Sequence, residues 1–487
     1  MKFDTGRVAL VLDAHAPFIE TRPGASHSEL DGFFEEVTLT YLPLLERLQS
    51  LASLEIPYRL TMALSPTLLL MLSDSAFQIA FGHYLESRLR VDLPQPLRDR
   101  TQKSADLWSQ RYQGRIAGGF AALEAAGRLE LLASTATRAC LPLLAPTPGA
   151  VRGQIVNGVR EHRRILGRAP RGFWLPGAAY VPGLEDNLVG AGLAHTFVEQ
   201  GTLAAEGHPP ALSLIGPSGL RLQGLDLALS AEISSPEKGY PSVPVFFHAK
   251  GRTMPYDAHR ARWIAAEQGR QFVESAQAAI IRFGHLSREP VVACALHARL
   301  LGTTWLEGID WLESFLRATA APTAIVRCAT LSEPLRAIAE PTNAHAAIGS
   351  HQACGSFRAW IQPGNDWIYP HLHYAAECFH DVASAGLARD STARRALMQA
   401  GRELLLAQSA DLAEAILKQA PSATERFRSH LTHCHELLRQ VAAGDVSGEN
   451  LLALEARHRI VPALDPQTFL GDSEQPRLGF SGTSLSQ

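Results

Sequence analysis

Short apolar runs closed by turn residues alternate, through the first part of the chain, with longer stretches whose apolar positions recur every three or four residues. That alternation predicts a parallel α/β barrel. Strands are expected at Arg7 to Leu12 (RVALVL), Tyr58 to Leu64 (YRLTMAL), Arg128 to Ala133 (RLELLA), Phe173 to Leu175, His195 to Val198 (HTFV), Ala279 to Phe283, Val291 to Leu296 (VVACAL) and Thr323 to Val326. Between them, Ser28 to Ser53 reads as helix through Leu30, Phe33, Phe34, Val37, Leu44, Leu45 and Leu48, and Val151 to Leu166 as helix with a basic outer face.

Two stretches break the alternation. From Pro66 to about Ala117 the pattern is continuously helical and highly charged, too long for a crossover helix, so a helical insertion is expected at 66–116. Beyond about Leu335, Pro370 to Ala385, Thr392 to Lys418 and Ala423 to Ala443 are amphipathic and separated by short turns. They predict an all-helical C-terminal domain at 336–487, which leaves 1–65 and 117–335 for the barrel.

Composition narrows the function classes. The 487 residues are 46% apolar and 19% charged, as a packed protein requires. A net charge of -3 and a pI near 6.7 give no electrostatic case for nucleic acid or anionic membrane as partner. Cys140, Cys294, Cys328, Cys354, Cys378 and Cys434 lie far apart with no C-x-x-C pair, so they read as free thiols in a reducing compartment. The apolar run Val8 to Leu12 is too brief for a signal peptide core or a membrane span, and a cytoplasmic protein is the expectation.

Candidate chemistry sits where strands end, because the carboxyl ends of barrel strands carry the catalytic groups. The first strand ends in Asp13 and His15, which share a face; others lead to Glu199 and His297. The segment PRGFWLPGAAYVPG, Pro170 to Gly183, places Trp174, Gly177 and Tyr180 at a strand end. Trp360 and Trp367 are candidate sugar-stacking rings, with an interdomain core as the alternative.

Five separated segments resemble glycoside hydrolase family 57 and, within it, the α-1,4-glucan branching enzymes. LVLDAHAPF (Leu10 to Phe18) resembles the family's LVLHAHLPY, LLASTATRACLPLL (Leu131 to Leu144) its THAFLPL region, and GFWLPGAAYVPG its GIWLPECAYRPG. LHARLLGTTWLEG (Leu296 to Gly308) is similar to YDTELFGHWWFEG, and RAWIQPGNDWIYPHLH (Arg358 to His373) to the VWLN segment. Weaker likenesses at Gly239, Pro255 and Glu403 (ELLLAQSADL) fall in the right order. The resemblance implies a (β/α)7 barrel with a helical insertion and a helical C-terminal domain, acting on α-1,4-glucan such as glycogen or a maltooligosaccharide, without a cofactor.

At the positions that carry the family's chemistry this chain departs. The resemblance puts the glutamate nucleophile at Gly177 and the aspartate acid/base at His297, and two family histidines at Asp13 and Arg138. His15, Trp174, Tyr180, Trp305 and Glu307 keep the family identity. Retaining hydrolysis needs two carboxyl groups ~5 to 5.5 Å apart, and glycine supplies none. The expectation is a branching-enzyme-like protein without branching or hydrolytic activity that binds α-glucan through Asp13, His15, Trp174, Tyr180, Glu199, Glu232, Trp305, Trp360 and Trp367, or partners active glycogen enzymes. The alternative is an active hydrolase or transferase using displaced groups among Glu199, Glu232, Asp13 and His297. Asp13, His15 and His297 also make one carboxylate and two imidazoles, a set suited to zinc, which Arg138 nearby opposes; a hydrogen-bonded cluster is the competing reading.

Overall fold

A computed structural model describes residues 6–20, 27–207, 213–216, 218–235, 237–243, 256–283, 290–333, 346–351 and 356–470. Its centre is a closed barrel of parallel strands: β1 (Gly6–Ala14), β2 (Leu60–Leu64), β3 (Leu129–Ser134), β4 (Gly172–Trp174), β5 (His195–Glu199), β7 (Arg221–Leu225) and β8 (Val291–His297), in that order around the ring. Closure comes from β1, which pairs with β2 through Val11 to Ala14 and with β8 through Arg7 to Asp13. Two short strands lie outside the ring. β6 (Ser213–Ile215) runs antiparallel beside β7, and β9 (Val326–Cys328) pairs with the first residues of β1. Alternate residues pointing inward, Ala9, Val11, Ala63, Leu132, Trp174, Phe197, Ala293 and Ala295 among them, fill the ring, so it is a packed core and not a pore.

Helices occupy the two departures from the βα rhythm, as the sequence pattern predicts. Between β2 and β3 run Pro66–Ser73, Ser75–Arg90 and Gln95–Asp106, and Ser65 and Asp74 cap the first two through side-chain oxygens. The C-terminal region is built of Ile368–Ser384, Ser391–Ala407, Ala410–Leu417, Ala423–Ala443 and Gly448–Arg457. These helices share one continuous apolar core with barrel residues such as Leu175, Tyr180 and Leu184. The helix expected to run unbroken from Thr392 to Lys418 instead stops at Gln408, and Ser409 caps a new helix by accepting from the Asp411 amide.

Two strand expectations are corrected. Ala279 to Phe283 is the last part of the helix Ala258–Phe283, in which Ala265, Phe272, Ala276 and Ile280 are buried while Ile281 is 56% exposed, a period of three to four and not of two. The barrel member at that place is β7, RLQGL, whose buried Gln223 concealed it; its amide takes Ser213 Oγ at 2.6 Å and reaches the Val291 carbonyl at 3.3 Å. Thr323 to Val326 shifts to β9, beside the amino end of β1. Cys354, Pro255 and the expected domain boundary at 335/336 lie outside the described residues, and the other five cysteines are unpaired thiols.

Close backbone approach at Gly158 is one limit on substitution in the barrel. A Cβ on Gly158, in the helix Pro148–Leu166, would lie 2.0 Å from the Ser134 carbonyl oxygen at the end of β3. Gly158→Ala is expected to lower stability by about 3 kcal/mol or to prevent folding, because helix and strand must separate. In contrast, Gly118→Ala, in the helix Ile116–Ala125 with no atom within 4 Å of the added carbon, should raise stability by up to about 1 kcal/mol. Paired denaturant melts measure both.

Candidate functional site

Register decides which residues meet at the barrel mouth. Parallel pairing sets Asp13 opposite His297, so the last residues of β1 and β8 face the same opening. The His297 Nδ1 lies 3.3 Å from Asp13 Oδ2, with His297 half exposed and Asp13 buried. Arg138, on the loop after β3, lies 3.6 Å from the same oxygen, and its other terminal nitrogen donates to Asp411 at 3.4 Å. His15 closes the set, its Nε2 2.8 Å from the second Asp411 oxygen. Five side chains from the barrel and the C-terminal helices thereby share one network.

Electrostatics follows from the stacking of these charges. Burial by itself would raise the Asp13 carboxyl, but the His297 hydrogen bond and the charges of Arg138, His297 and His15 outweigh it and hold the group at about 2. Asp411 is held well below the usual carboxylate range: its burial is overcome by His15 and Arg138. Arg138 is shared by the two carboxylates and stays cationic. Its backbone has φ +57°, and the Nε hydrogen has no acceptor, so the side chain is positioned by its carboxylates against local strain.

Gly177 stands at the end of β4 with φ +59° and ψ 24°, and Ala178 follows with φ +49°. Two consecutive left-handed residues make a tight corner there, and glycine suits the first of them. The Gly177 carbonyl accepts from the His351 amide at 2.8 Å, and Gly349 bridges to Tyr180, so segment 346–351 lies across this corner. His351 brings a buried Nδ1 that lacks a hydrogen-bond partner; burial, and then the charge of His297, lowers its pKa. Two imidazoles, His297 and His351, therefore stand close to the glycine corner.

On the far side of His297, the helix His27–Glu36 ends at Glu36. Its Oε1 is 3.6 Å from Arg299 and its Oε2 is buried without a hydrogen-bond partner. Burial pushes this carboxyl up to about 7, against the opposing charges of Arg299 and His297. The mouth thus contains one carboxyl that is ionised throughout the neutral range and one poised near neutrality.

The other expected site residues scatter. Trp174 is in the barrel interior with its ring 6.1 Å from Phe197 and its Nε1 buried without a partner, and Glu199 is buried at the end of β5. Glu232 is not at the mouth: on the outer helix Leu227–Ser234 it accepts from Tyr240 Oη and from Ser275 Oγ of a neighbouring helix. Trp305 is fully buried against Tyr240 and Trp311, and Trp360 is 1% exposed, so neither offers a ring face to a sugar. Trp360 instead donates its Nε1 hydrogen to Glu414, which lies 4.0 Å from Arg138 and so supports the network from beneath. Tyr180 is buried with its hydroxyl on Glu185. Trp367 is half buried, edge-on to Phe427 and beneath Arg428.

Asp13, His15 and His297 do not converge as metal donors, since His15 turns to Asp411 and the Arg138 cation sits between the two carboxylates. Sequence reasoning missed Glu36, His351 and Asp411. Only Asp411 had left a signal, inside the ELLLAQSADL segment; the others reach the mouth from a helix end and a crossing segment that no strand pattern marks.

Comparison with known proteins agrees with this architecture. Residues 9–244 match Glycosyl hydrolase family 57, and residues 371–469 match the C-terminal domain of 1,4-alpha-glucan branching enzyme. A 1,4-alpha-glucan branching enzyme of Thermococcus kodakarensis is 26% identical over 93% of this chain and 77% of its own length. The alpha-amylase AmyC of Thermotoga maritima superposes with a TM-score of 0.85 at 26% identity, covering 96% of this chain and 99% of that one. A GH57-type branching enzyme of Pyrococcus horikoshii shares the fold, with TM-score 0.86 at 23% identity over 97% of this chain and 98% of the other.

Two outcomes follow from the mouth's electrostatics. Arg138→Met should destabilise the fold by about 3 kcal/mol at pH 7, because it leaves buried Asp13 and partly buried Asp411 without their shared cation; the loss should shrink below pH 4 as the carboxylates protonate. Glu36 binds its proton more tightly folded than unfolded, so it lowers stability as pH rises from about 4.5 to 7. Glu36→Gln should flatten that part of the stability profile, measured by denaturant melts across the range.

Proposed function

Because this chain belongs to glycosyl hydrolase family 57, we propose that it is a branching-enzyme-like protein whose barrel mouth holds α-1,4-glucan without cleaving or transferring it. The observation that carries this reading is Gly177, a left-handed corner with no side chain at the position where the family resemblance puts the nucleophile. Double displacement needs a carboxylate to form the glycosyl intermediate and a second acid to protonate the leaving oxygen. Here the acid position is His297, whose imidazole is engaged with Asp13.

The same substitutions favour binding over chemistry. Asp13 is committed to Arg138 and His297, and loses the freedom a base would need. Half-exposed His297, at the end of β8, is the residue we assign to sugar contact at the mouth. A role beside active glycogen enzymes in the cytoplasm completes the proposal; among the described residues no helix is long and apolar enough to cross a membrane.

One observation favours a second reading. Glu36 and Asp13 flank His297 with their acidities pushed apart, the arrangement by which enzymes separate an acid from a base. In that case water would attack directly, with inversion, and Glu36→Gln and Asp13→Asn would each abolish turnover.

The proposal predicts that the purified protein leaves the iodine absorbance of amylose unchanged and releases no reducing ends, yet is retarded in gels cast with glycogen. His297→Ala should weaken that retardation about tenfold, as loss of one central contact does. Sustained branching by the unaltered protein would refute the reading, and absence of retardation would remove its binding half.

A further inference from the structure

A second cluster of ionisable side chains lies inside the C-terminal helical region. Glu403, fully buried on the helix Ser391–Ala407, is approached by three imidazoles. Its Oε2 is 2.8 Å from His430 Nδ1 and its Oε1 is 2.7 Å from His458 Nδ1. His433, one helical turn from His430 on Ala423–Ala443, points Nδ1 at the same Oε2 from 3.7 Å; that nitrogen is buried and has no hydrogen-bond partner. The donor atoms of Glu403, His430 and His458 all lie within 4.8 Å of one another, and all three residues are buried.

From this geometry we propose that Glu403, His430, His433 and His458 form a closed structural site for a divalent cation of the zinc class. One carboxylate and three imidazoles are a donor set of the borderline type that zinc, cobalt and nickel prefer, and hard cations such as magnesium do not. Two of the histidines come from one helix at i and i+3, a spacing that turns both rings to one side. The surroundings also match those of metal ligands, whose other polar atoms are held by outer partners. His458 Nε2 is 3.1 Å from Glu20, and Gln399 donates to Glu403 Oε1 at 2.8 Å.

Hydrogen bonding alone leaves this cluster overprovided. Two imidazoles already occupy the two carboxylate oxygens, and the third nitrogen, buried, faces one of them only from 3.7 Å. One proton is accommodated at His458 between Glu20 and Glu403, but protonating a second imidazole is no remedy, since the His430 and His458 rings are 4.7 Å apart and the second buried charge would repel the first. A dication accepted by the carboxylate and three neutral imidazoles satisfies every donor at once. It would pin Ser391–Ala407, Ala423–Ala443 and the end of Gly448–Arg457 together, and through Glu20 would tie them to the segment that follows β1. This site is separate from the mouth and stands independently of the activity proposed there.

The test uses the full chain, stripped with a chelator and titrated with zinc chloride and, separately, cobalt chloride. Unaltered protein should take up one equivalent of zinc, melt about 5 °C higher than the stripped form, and give the intense visible bands of four-coordinate cobalt. His433→Gln, at a half-buried position, and His430→Gln should each weaken zinc binding at least tenfold, with circular dichroism checking that each is folded. The proposal is overturned if unaltered protein binds less than about a tenth of an equivalent, if cobalt keeps the pale spectrum of its aquo ion, or if the folded variants bind zinc as tightly as the parent.

Discussion

The arginine at position 138 is the interaction on which the mouth depends. Its guanidinium sits between Asp13 of the first barrel strand and Asp411 of a C-terminal helix, the first carboxylate buried and the second partly buried. Buried charges cost several kcal/mol each unless paired, so neither carboxylate is tenable alone and the two units of the fold are held in one arrangement. The break at Ser409 makes this geometry available, because it starts a new helix with Asp411 in its first turn. His15 and His297 then complete the network from β1 and β8, and Trp360 supports Glu414 beneath it.

A mouth arranged in this way is polar, with charged and imidazole side chains from β1, β8 and the C-terminal helices tied together. The family resemblance puts a nucleophile where the chain has a left-handed glycine corner bonded to the crossing segment 346–351. Near that corner stand the imidazoles of His297 and His351 and the poised carboxyl of Glu36. These groups are suited to hydrogen-bonding sugar hydroxyls, and the family resemblance together with a glycine at the resembled nucleophile position is why binding is proposed as the retained property.

Much of the barrel was legible because its strands are buried on both faces and read as short apolar runs. β7 was not, since Gln223 breaks the run while being satisfied inside the sheet, and the run AAIIRF belongs to a helix that exposes Ile281. At the mouth, Asp13, His15, Arg138 and His297 were visible as strand-end or motif residues. Their meeting with Asp411 was not, because it depends on a helix break hundreds of residues downstream in the chain. Tryptophans misled most: a ring suited to stacking on sugar is equally suited to a core, and Trp305 and Trp360 are core rings.

The claim that this mouth forms no glycosyl intermediate is tested most directly by a trapping experiment. The full chain is incubated with an activated 5-fluoro-α-glucosyl fluoride and its intact mass recorded. The account predicts an unchanged mass, because Gly177 supplies no carboxylate to be glycosylated. A stable gain of one fluoroglucosyl unit, mapping by peptide sequencing to any carboxylate at the mouth, would contradict it.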